Sequence, residues 1–226
     1  MGKIIIHDGT TKNPITLIGY EAGICYGSDV SDDKKNYKRG LMNLKSGHGR
    51  TFEFPQVYMT IEGYSARFAR ELYTHIAGSP TRLQASTRYI KYGDFEYIIP
   101  HSIEKNESAR EEYISTMSTI SEAYATLEDM GIPKEDIANL LPLGMTTKMV
   151  LRTNARMLID MSHQRMCTRA YWEYREFMQD LMNALFNYSD EWKLIVDEYF
   201  KPKCELYGYC TEHNSCGRMP KNKILY

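Results

Sequence analysis

The sequence lacks the features that mark several large classes of protein. No apolar run approaches the ~20 residues needed to span a bilayer. The formal net charge of −1 leaves no overall field that would attract nucleic acid or a membrane surface. Neither G-x-G-x-x-G nor G-x-x-x-x-G-K-[ST] occurs, so a Rossmann domain and a P-loop are unsupported. We therefore expect neither a nucleic acid polymer nor a membrane among its partners.

Cysteine is scarce and odd in number. Five cysteines in 226 residues argue against a disulfide scaffold. Residues 1–7 have no secretory layout, so we expect a cytoplasmic protein. Four soft ligands lie together near the end of the chain, where they either wrap a Zn²⁺ ion or are reduced thiols in a loose tail: Cys204, Cys210, His213 and Cys216. We favour the loose tail, because the spacing matches no standard zinc-binding pattern.

The order of the sequence patterns defines the expected fold class. Strand patterns come early in the chain and helical patterns dominate later, which indicates an α+β fold rather than repeated βαβ units. The length suits one sizeable core. We expect a single domain over residues 1–200 and a Cys-rich C-terminal tail over residues 201–226.

Periodicity and capping residues predict the individual elements. Strands are expected at Lys3–His7, Phe54–Ile61, Thr87–Tyr92 and Phe95–Ile99, the last two as a hairpin turning at Gly93-Asp94. Thr146–Thr153 fits a strand or a helix. Helices are expected at Pro14–Cys25, Ser31–Gly47, Ser65–Ile76, Ile103–Met130, Lys134–Leu141, Asn154–Met166, Thr168–Phe186 and Asp190–Phe200.

A polar cluster follows the chain break at Gly78-Ser79-Pro80. Two arginines, two hydroxyls and an amide fall within a few residues: Arg82, Gln84, Ser86, Thr87 and Arg88. Arginine forks match phosphate oxygens, and hydroxyl groups add further donors. The cluster is therefore a candidate phosphate cradle, and a solvated loop with a surface ion pair is the alternative.

A second polar cluster lies on the helix that starts at Asn154. Asn154 and Arg165 fall within about 20° of each other around the axis and roughly 16 Å apart along it, with apolar side chains between them. A buried arginine usually has an acid or a ligand as its partner. The alternative is a surface pair between Arg156 and Asp160. His48, in a polar turn before a strand, is by itself typical of a solvent-facing histidine. No triad of nucleophile, base and acid is apparent.

Two stretches of the sequence resemble the flavin-dependent (alternative) thymidylate synthases. The first is Ala69-Arg70-Glu71-Leu72-Tyr73-Thr74-His75-Ile76, followed by Ser86-Thr87-Arg88-Tyr89. The second is Gly131-Ile132-Pro133, then Leu141-Pro142, Thr153-Asn154-Ala155-Arg156, Arg165 and Trp172-Glu173. With the His48 turn, the resemblance covers roughly residues 1 to 200, and the second stretch is the more specific of the two.

The chain departs from the family pattern at four points. Thr74-His75-Ile76 stands where the family has Arg-His-Arg, and nine residues rather than seven separate it from Ser86. Ala138 stands where many members have arginine, and Asp160 where they often have asparagine. Arg82 and Arg67 are the candidates to replace the missing guanidinium groups.

The resemblance implies a fold and a reaction. It implies a homotetramer of subunits with an antiparallel sheet flanked by helices, in which active sites are shared between subunits. The reaction is the methylation of dUMP to dTMP with 5,10-methylenetetrahydrofolate as carbon donor, FAD reduced by NADPH as hydride source, and no enzyme nucleophile. The alternative is a degenerate relative that binds nucleotide or flavin without catalysis.

The resemblance also implies roles for individual residues. The dUMP-binding residues are Glu71, Ser86, Thr87, Arg88 and Arg165, and Arg165 is the catalytic residue that stabilises charge developing on the pyrimidine. The FAD-binding residues are His48, Glu53, Thr74, His75, Ile76, Asn154, Arg156 and Asp160.

Overall fold

The computed structural model describes residues 2–78 and 80–221. Ser79 of the expected Gly-Ser-Pro break and residues 222–226 of the expected tail therefore lie outside the described residues. The strands are β1 (Lys3–Ile6), β2 (Gln56–Ser65), β3 (Thr81–Gln84) and β4 (Thr146–Asn154). The helices are α1 (Pro14–Cys25), α2 (Asp33–Lys45), α3 (Ala66–Leu72), α4 (His101–Glu104), α5 (Glu107–Asp129), α6 (Lys134–Ile137), α7 (Ala155–Arg165), α8 (Trp172–Tyr188), α9 (Asp190–Tyr199) and α10 (Lys203–Tyr207).

The strands form a small antiparallel sheet with the order β1-β2-β4-β3, which confirms the α+β expectation. Thr146–Thr153, which fitted either type of element, is a strand that extends to Asn154. No helix in the described part of the chain is both long enough and apolar enough to cross a membrane.

Residue contacts divide the described chain into two compact units. The first unit comprises Met1–Lys3, Ile61–Thr74 and Leu83–Met149. The second comprises Ile4–Thr60, His75–Arg82 and Val150–Tyr226. The domain boundary expected at residue 200 stays a prediction.

In the first unit, the hairpin expected over Thr87–Tyr92 and Phe95–Ile99 is wrong. Backbone amides of residues 89 and 90 bond to the Ser86 carbonyl, which makes a turn, and Tyr97 forms only an isolated bridge with Met145. Phe95 is buried with Met117 and Met145. Packing of these side chains, rather than strand pairing, therefore fixes this stretch.

Two helix boundaries in the first unit also differ from expectation. The single helix expected over Ile103–Met130 is interrupted, because the Asn106 side chain accepts a hydrogen bond from the Ala109 amide and caps α5. The helix capped by Ser65 ends at Leu72 instead of Ile76. The Thr74 hydroxyl and amide then donate to the Glu71 carbonyl, which leaves His75 outside the helix.

In the second unit, α1 and α2 pack with their backbones almost in contact. A Cβ atom on Gly19 would lie 1.7 Å from the Asn36 carbonyl oxygen, and one on Gly40 would lie 2.0 Å from the Ile15 carbonyl oxygen. Only glycine fits at this crossing. Farther along the chain, α8 and α9 bury Phe177 and Trp192 completely.

Candidate active site

The residues implicated by the motifs divide between the two units. The first unit contains Glu71, Thr74, Ser86, Thr87 and Arg88. The second contains His48, Glu53, His75, Ile76, Asn154, Arg156, Asp160 and Arg165.

Arg165, in the last turn of α7, is held by two aromatic side chains of the second unit. Its Nε–H donates to Nε2 of His75 at 2.9 Å. Its guanidinium carbon lies 4.5 Å from the ring centroid of Tyr174, a fully buried residue of α8. The rings of His75 and Tyr174 are themselves 5.8 Å apart. The guanidinium plane is thus fixed on one edge and one face.

Burial and two neighbouring cations keep His75 neutral. Burial lowers the pKa of His75 most, and the positive charges of Arg165 and Arg82 lower the pKa further, to about 4. Arg82 also donates from Nη2 to the His75 carbonyl. Because Nε2 accepts the bond from Arg165, the ring proton of the neutral imidazole belongs on Nδ1.

The lowered pKa of His75 predicts a specific loss of stability in mild acid. Between pH 6.5 and about 4, His75 becomes protonated in the unfolded chain but stays neutral in the folded protein. The free energy of unfolding therefore falls as pH falls through this range. Above pH 6.5 both states are neutral at this residue and the effect vanishes.

Denaturant unfolding of wild type and His75→Gln at pH 7 and pH 5 measures this effect. The variant is expected to lose less stability between the two pH values. His48→Gln is the control, because it removes the same ring from an exposed position. Identical pH dependence in wild type and His75→Gln would rule out His75 as the source.

Two more side chains of the second unit that the resemblance assigns to FAD binding contact each other. Arg156 and Glu53 form an ion pair at 2.6 Å, and both are partly exposed. This pair replaces the Arg156–Asp160 alternative: Asp160 is exposed, and its charge acts on His163 instead. His48 and Ile76 are also exposed. These side chains are accessible from solvent.

Asn154 has a structural role that spacing alone did not reveal. Its side-chain oxygen accepts a hydrogen bond from the Met157 amide at 2.9 Å and caps α7. Gly78, which has a positive φ of 71°, lies against it: a Cβ atom there would be 2.6 Å from the Asn154 amide nitrogen. Asn154 therefore caps α7 and also packs against the segment that carries His75.

In the first unit, Ser86, Thr87 and Arg88 lie in a turn rather than a strand. The Ser86 hydroxyl accepts from the Arg88 amide at 3.3 Å, and the Arg88 guanidinium lies over the ring of Tyr89 at 5.4 Å. Lys134 donates to the Tyr89 carbonyl at 3.1 Å. The turn presents hydroxyl and guanidinium donors in a loop, which is the local arrangement that a phosphate cradle needs.

Four of the five cysteines line one cavity of about 290 Å³ in the second unit: Cys167, Cys204, Cys210 and Cys216. Burial raises the pKa of Cys204, whereas a hydrogen bond with Thr168 lowers the pKa of Cys216. Within residues 2–78 and 80–221, no three His, Cys, Asp or Glu side chains are grouped so as to hold a metal ion. The zinc alternative with His213 gains no support from this arrangement.

Sequence reasoning missed Tyr174 and left Arg82 as a candidate only. Tyr174 follows the apolar periodicity of α8, so nothing in its spacing distinguishes an arginine-stacking ring from a core residue. The sequence did contain a sign that Arg82 belongs to the site. It lies seven residues after His75, in a segment where the two arginines of the family motif are missing.

The protein is similar in fold and in sequence to one family of known proteins. The fold is that of the flavin-dependent thymidylate synthases: the solved enzyme from Helicobacter pylori, determined with FAD and dUMP, superimposes with a TM-score of 0.69. That match has 20% identity and covers 88% of this chain and 100% of the other. The chain belongs to the thymidylate synthase complementing protein family, whose model matches residues 8–187.

Relatives over most of the chain support the same family. The flavin-dependent thymidylate synthase of Clostridium tetani is 29% identical over 96% of this chain and 94% of its own length. The enzyme of Nitratidesulfovibrio vulgaris is 32% identical over 80% of this chain and 76% of its own length. The family expected from the two motif stretches is confirmed.

Proposed function

We propose that this protein is an FAD-dependent thymidylate synthase that converts dUMP to dTMP with 5,10-methylenetetrahydrofolate as carbon donor and NADPH as reductant. Family membership over residues 8–187 supports the activity. The observation that carries the mechanism is the hydrogen bond from Arg165 to a neutral His75 above the Tyr174 ring.

The donor groups of the second unit fit a flavin nucleotide. Arg82 and Arg156 supply guanidinium groups for phosphate oxygens. His75, kept neutral, adds an Nδ1–H donor for a carbonyl or ring nitrogen. Arg82 thereby replaces one of the two arginines that are missing from the Arg-His-Arg motif. FAD, when bound and reduced, supplies the hydride for the reaction.

Arg165 has the electrostatic role in the proposed mechanism. A guanidinium cannot act as a base, so its contribution is to bind the pyrimidine and to stabilise negative charge that develops on the ring. His75 and Tyr174 hold it in orientation, which reduces the reorganisation needed during the reaction. Ser86, Thr87 and Arg88 bind the phosphate and sugar of dUMP, with Glu71 beside them.

We also propose a cytoplasmic homotetramer with shared active sites. Apolar side chains next to the proposed dUMP-binding turn are exposed in the single chain, including Leu83 at 71% and Tyr89 at 74%. Exposed apolar groups around a polar site are typical of a surface that another subunit covers.

The decisive test is formation of dTMP from dUMP by purified protein. We expect visible absorbance from bound flavin, and dTMP production that requires NADPH and methylenetetrahydrofolate and is lost when FAD is stripped from the protein. The replacement of Arg-His-Arg by Thr74-His75-Ile76 motivates the second candidate, a non-catalytic relative. That candidate predicts dUMP binding without turnover. A colourless protein that neither takes up FAD nor oxidises NADPH would exclude the synthase.

A further inference from the structure

The C-terminal tail packs against the residues that directly follow α7 in the second unit. Arg169 forms an ion pair with Glu212 of the tail at 3.1 Å. Arg218 donates from Nη1 to the Met166 carbonyl at 3.3 Å. Because Met166 and Arg169 stand on either side of Cys167, these two contacts hold the tail against the segment that carries this thiol.

A second thiol lies at the same point of the tail. The sulfur of Cys216, an exposed residue, accepts a hydrogen bond from the hydroxyl of Thr168, the residue after Cys167. The chain turns at Gly217, which has a positive φ of 87°, and the Arg218 amide then donates to the same sulfur. Cys167 and Cys216 also line the same cavity of about 290 Å³. The fold therefore brings these two thiols together from positions far apart in the sequence.

Cys216 has the properties of an attacking thiol. The hydrogen bond from Thr168 lowers the pKa of Cys216 most, and the amide and the positive charge of Arg218 lower the pKa further. The thiolate is the reactive form of cysteine, and an accessible thiol of lowered pKa beside a second thiol is typical of a redox-active site.

The two remaining thiols of the cavity are less suited to the first step. Burial raises the pKa of Cys204, and Cys210 is only 6% exposed. A buried or weakly ionised thiol reacts slowly with a reagent in solution. Cys216 is therefore expected to react first, and Cys167 is the thiol that the tail contacts place beside it.

We propose that Cys167 and Cys216 are a redox-active pair that forms a disulfide in the presence of a small-molecule disulfide such as oxidised glutathione. The Cys216 thiolate attacks one sulfur of the oxidant, which forms a mixed disulfide and releases one glutathione thiolate. Cys167 then loses its proton to solvent, attacks the Cys216 sulfur and releases the second glutathione thiolate. Two protein thiols are oxidised, one glutathione disulfide is reduced, and the two thiol protons end on the two released glutathione molecules.

The position of the bond gives it a consequence for the candidate site. Cys167 lies two residues after Arg165, so the disulfide ties the tail covalently to the end of the helix that carries the proposed catalytic residue. In a reducing compartment such a bond is transient and responds to the oxidant, unlike a structural disulfide. The inference goes beyond the proposed function, because the proposed reaction uses neither thiol.

The test maps the disulfide in the 226-residue protein. Reduced wild type is incubated with oxidised glutathione, remaining thiols are blocked with N-ethylmaleimide, and unreduced peptides are identified by mass spectrometry. Cleavage after arginine and lysine and also after glutamate separates all the thiols of the tail, because Glu205 and Glu212 lie between them. We expect a cross-linked peptide that joins Cys167 to Cys216 and is lost on treatment with dithiothreitol.

Two variants test the order of the steps. Cys167→Ser is expected to stop at a glutathione adduct on Cys216. Cys25→Ser is the matched control, since Cys25 is an exposed thiol of α1 that does not line the cavity, and it should form the same cross-link as wild type.

Three results in wild type would overturn the proposal: a bond that joins another pair of cysteines, a stable glutathione adduct on Cys216, or no loss of thiols. An adduct on a different cavity thiol in Cys167→Ser would also overturn it. The wild-type results hold even if a variant folds poorly. They are read from a covalent bond, so they do not depend on whether the protein makes dTMP.

Discussion

Replacing Arg165 by alanine is expected to lower the rate of dTMP formation by about 10²–10³-fold, the range seen when a group that stabilises developing charge is removed. The fold should survive, because Arg165 lies at the end of α7 and its partners His75 and Tyr174 keep their own packing. Steady-state kinetics with saturating dUMP measures the loss in kcat.

The control for Arg165 is Arg152→Ala. Arg152 is an exposed arginine on β4, so its removal changes the charge equally and leaves the candidate site intact. Arg165→Lys distinguishes charge from geometry, since lysine keeps the charge but lacks the planar donor that meets His75. Wild-type turnover by Arg165→Ala would remove this residue from the mechanism.

Replacing Gly40 by alanine is expected to destabilise the protein by about 3 kcal/mol or more, at or above the usual upper range for overpacking. The added Cβ would lie 2.0 Å from the Ile15 carbonyl oxygen. A backbone atom cannot rotate away, so α1 and α2 must separate. At about 2–4 °C per kcal/mol for a chain of this size, the melting temperature should fall by roughly 6–12 °C.

Gly93→Ala is the matched control for Gly40→Ala. A Cβ atom on Gly93 meets nothing within 4 Å, so the same chemical change carries no clash. We expect its melting temperature to change little. Equal melting temperatures for the two variants would show that the helix crossing tolerates the added methyl group.

The elements that the sequence predicted correctly are those whose ends have local chemical causes. Pro14 at the first position starts α1 at the expected residue, and the Asp32 side chain caps α2. The hairpin expected over Thr87–Ile99 failed because strand-like residue types there are fixed by packing of Phe95 against residues far away in the chain. Local propensity carries no information about such contacts.

The candidate site also combines features that the sequence predicts with contacts between distant residues that it does not predict. His75 and Arg165 are 90 residues apart, and only the family pattern linked them before their hydrogen bond was visible. Nothing in the sequence predicts that the ring of Tyr174 stacks on Arg165, because a tyrosine on the apolar face of a helix is typical of a core residue. The resemblance predicts that Asn154 binds flavin, and the contact that the structure shows for its side-chain oxygen is a helix cap.

The contacts of Asn154 have a mechanical consequence for the candidate site. Asn154 caps α7, whose last turn carries Arg165, and its side chain also packs against Gly78, three residues after His75. The hydrogen bond between Arg165 and His75 therefore joins two segments that also contact each other at Asn154. Shortening the Asn154 side chain should thus disturb the geometry of the Arg165–His75 pair as well as the start of α7.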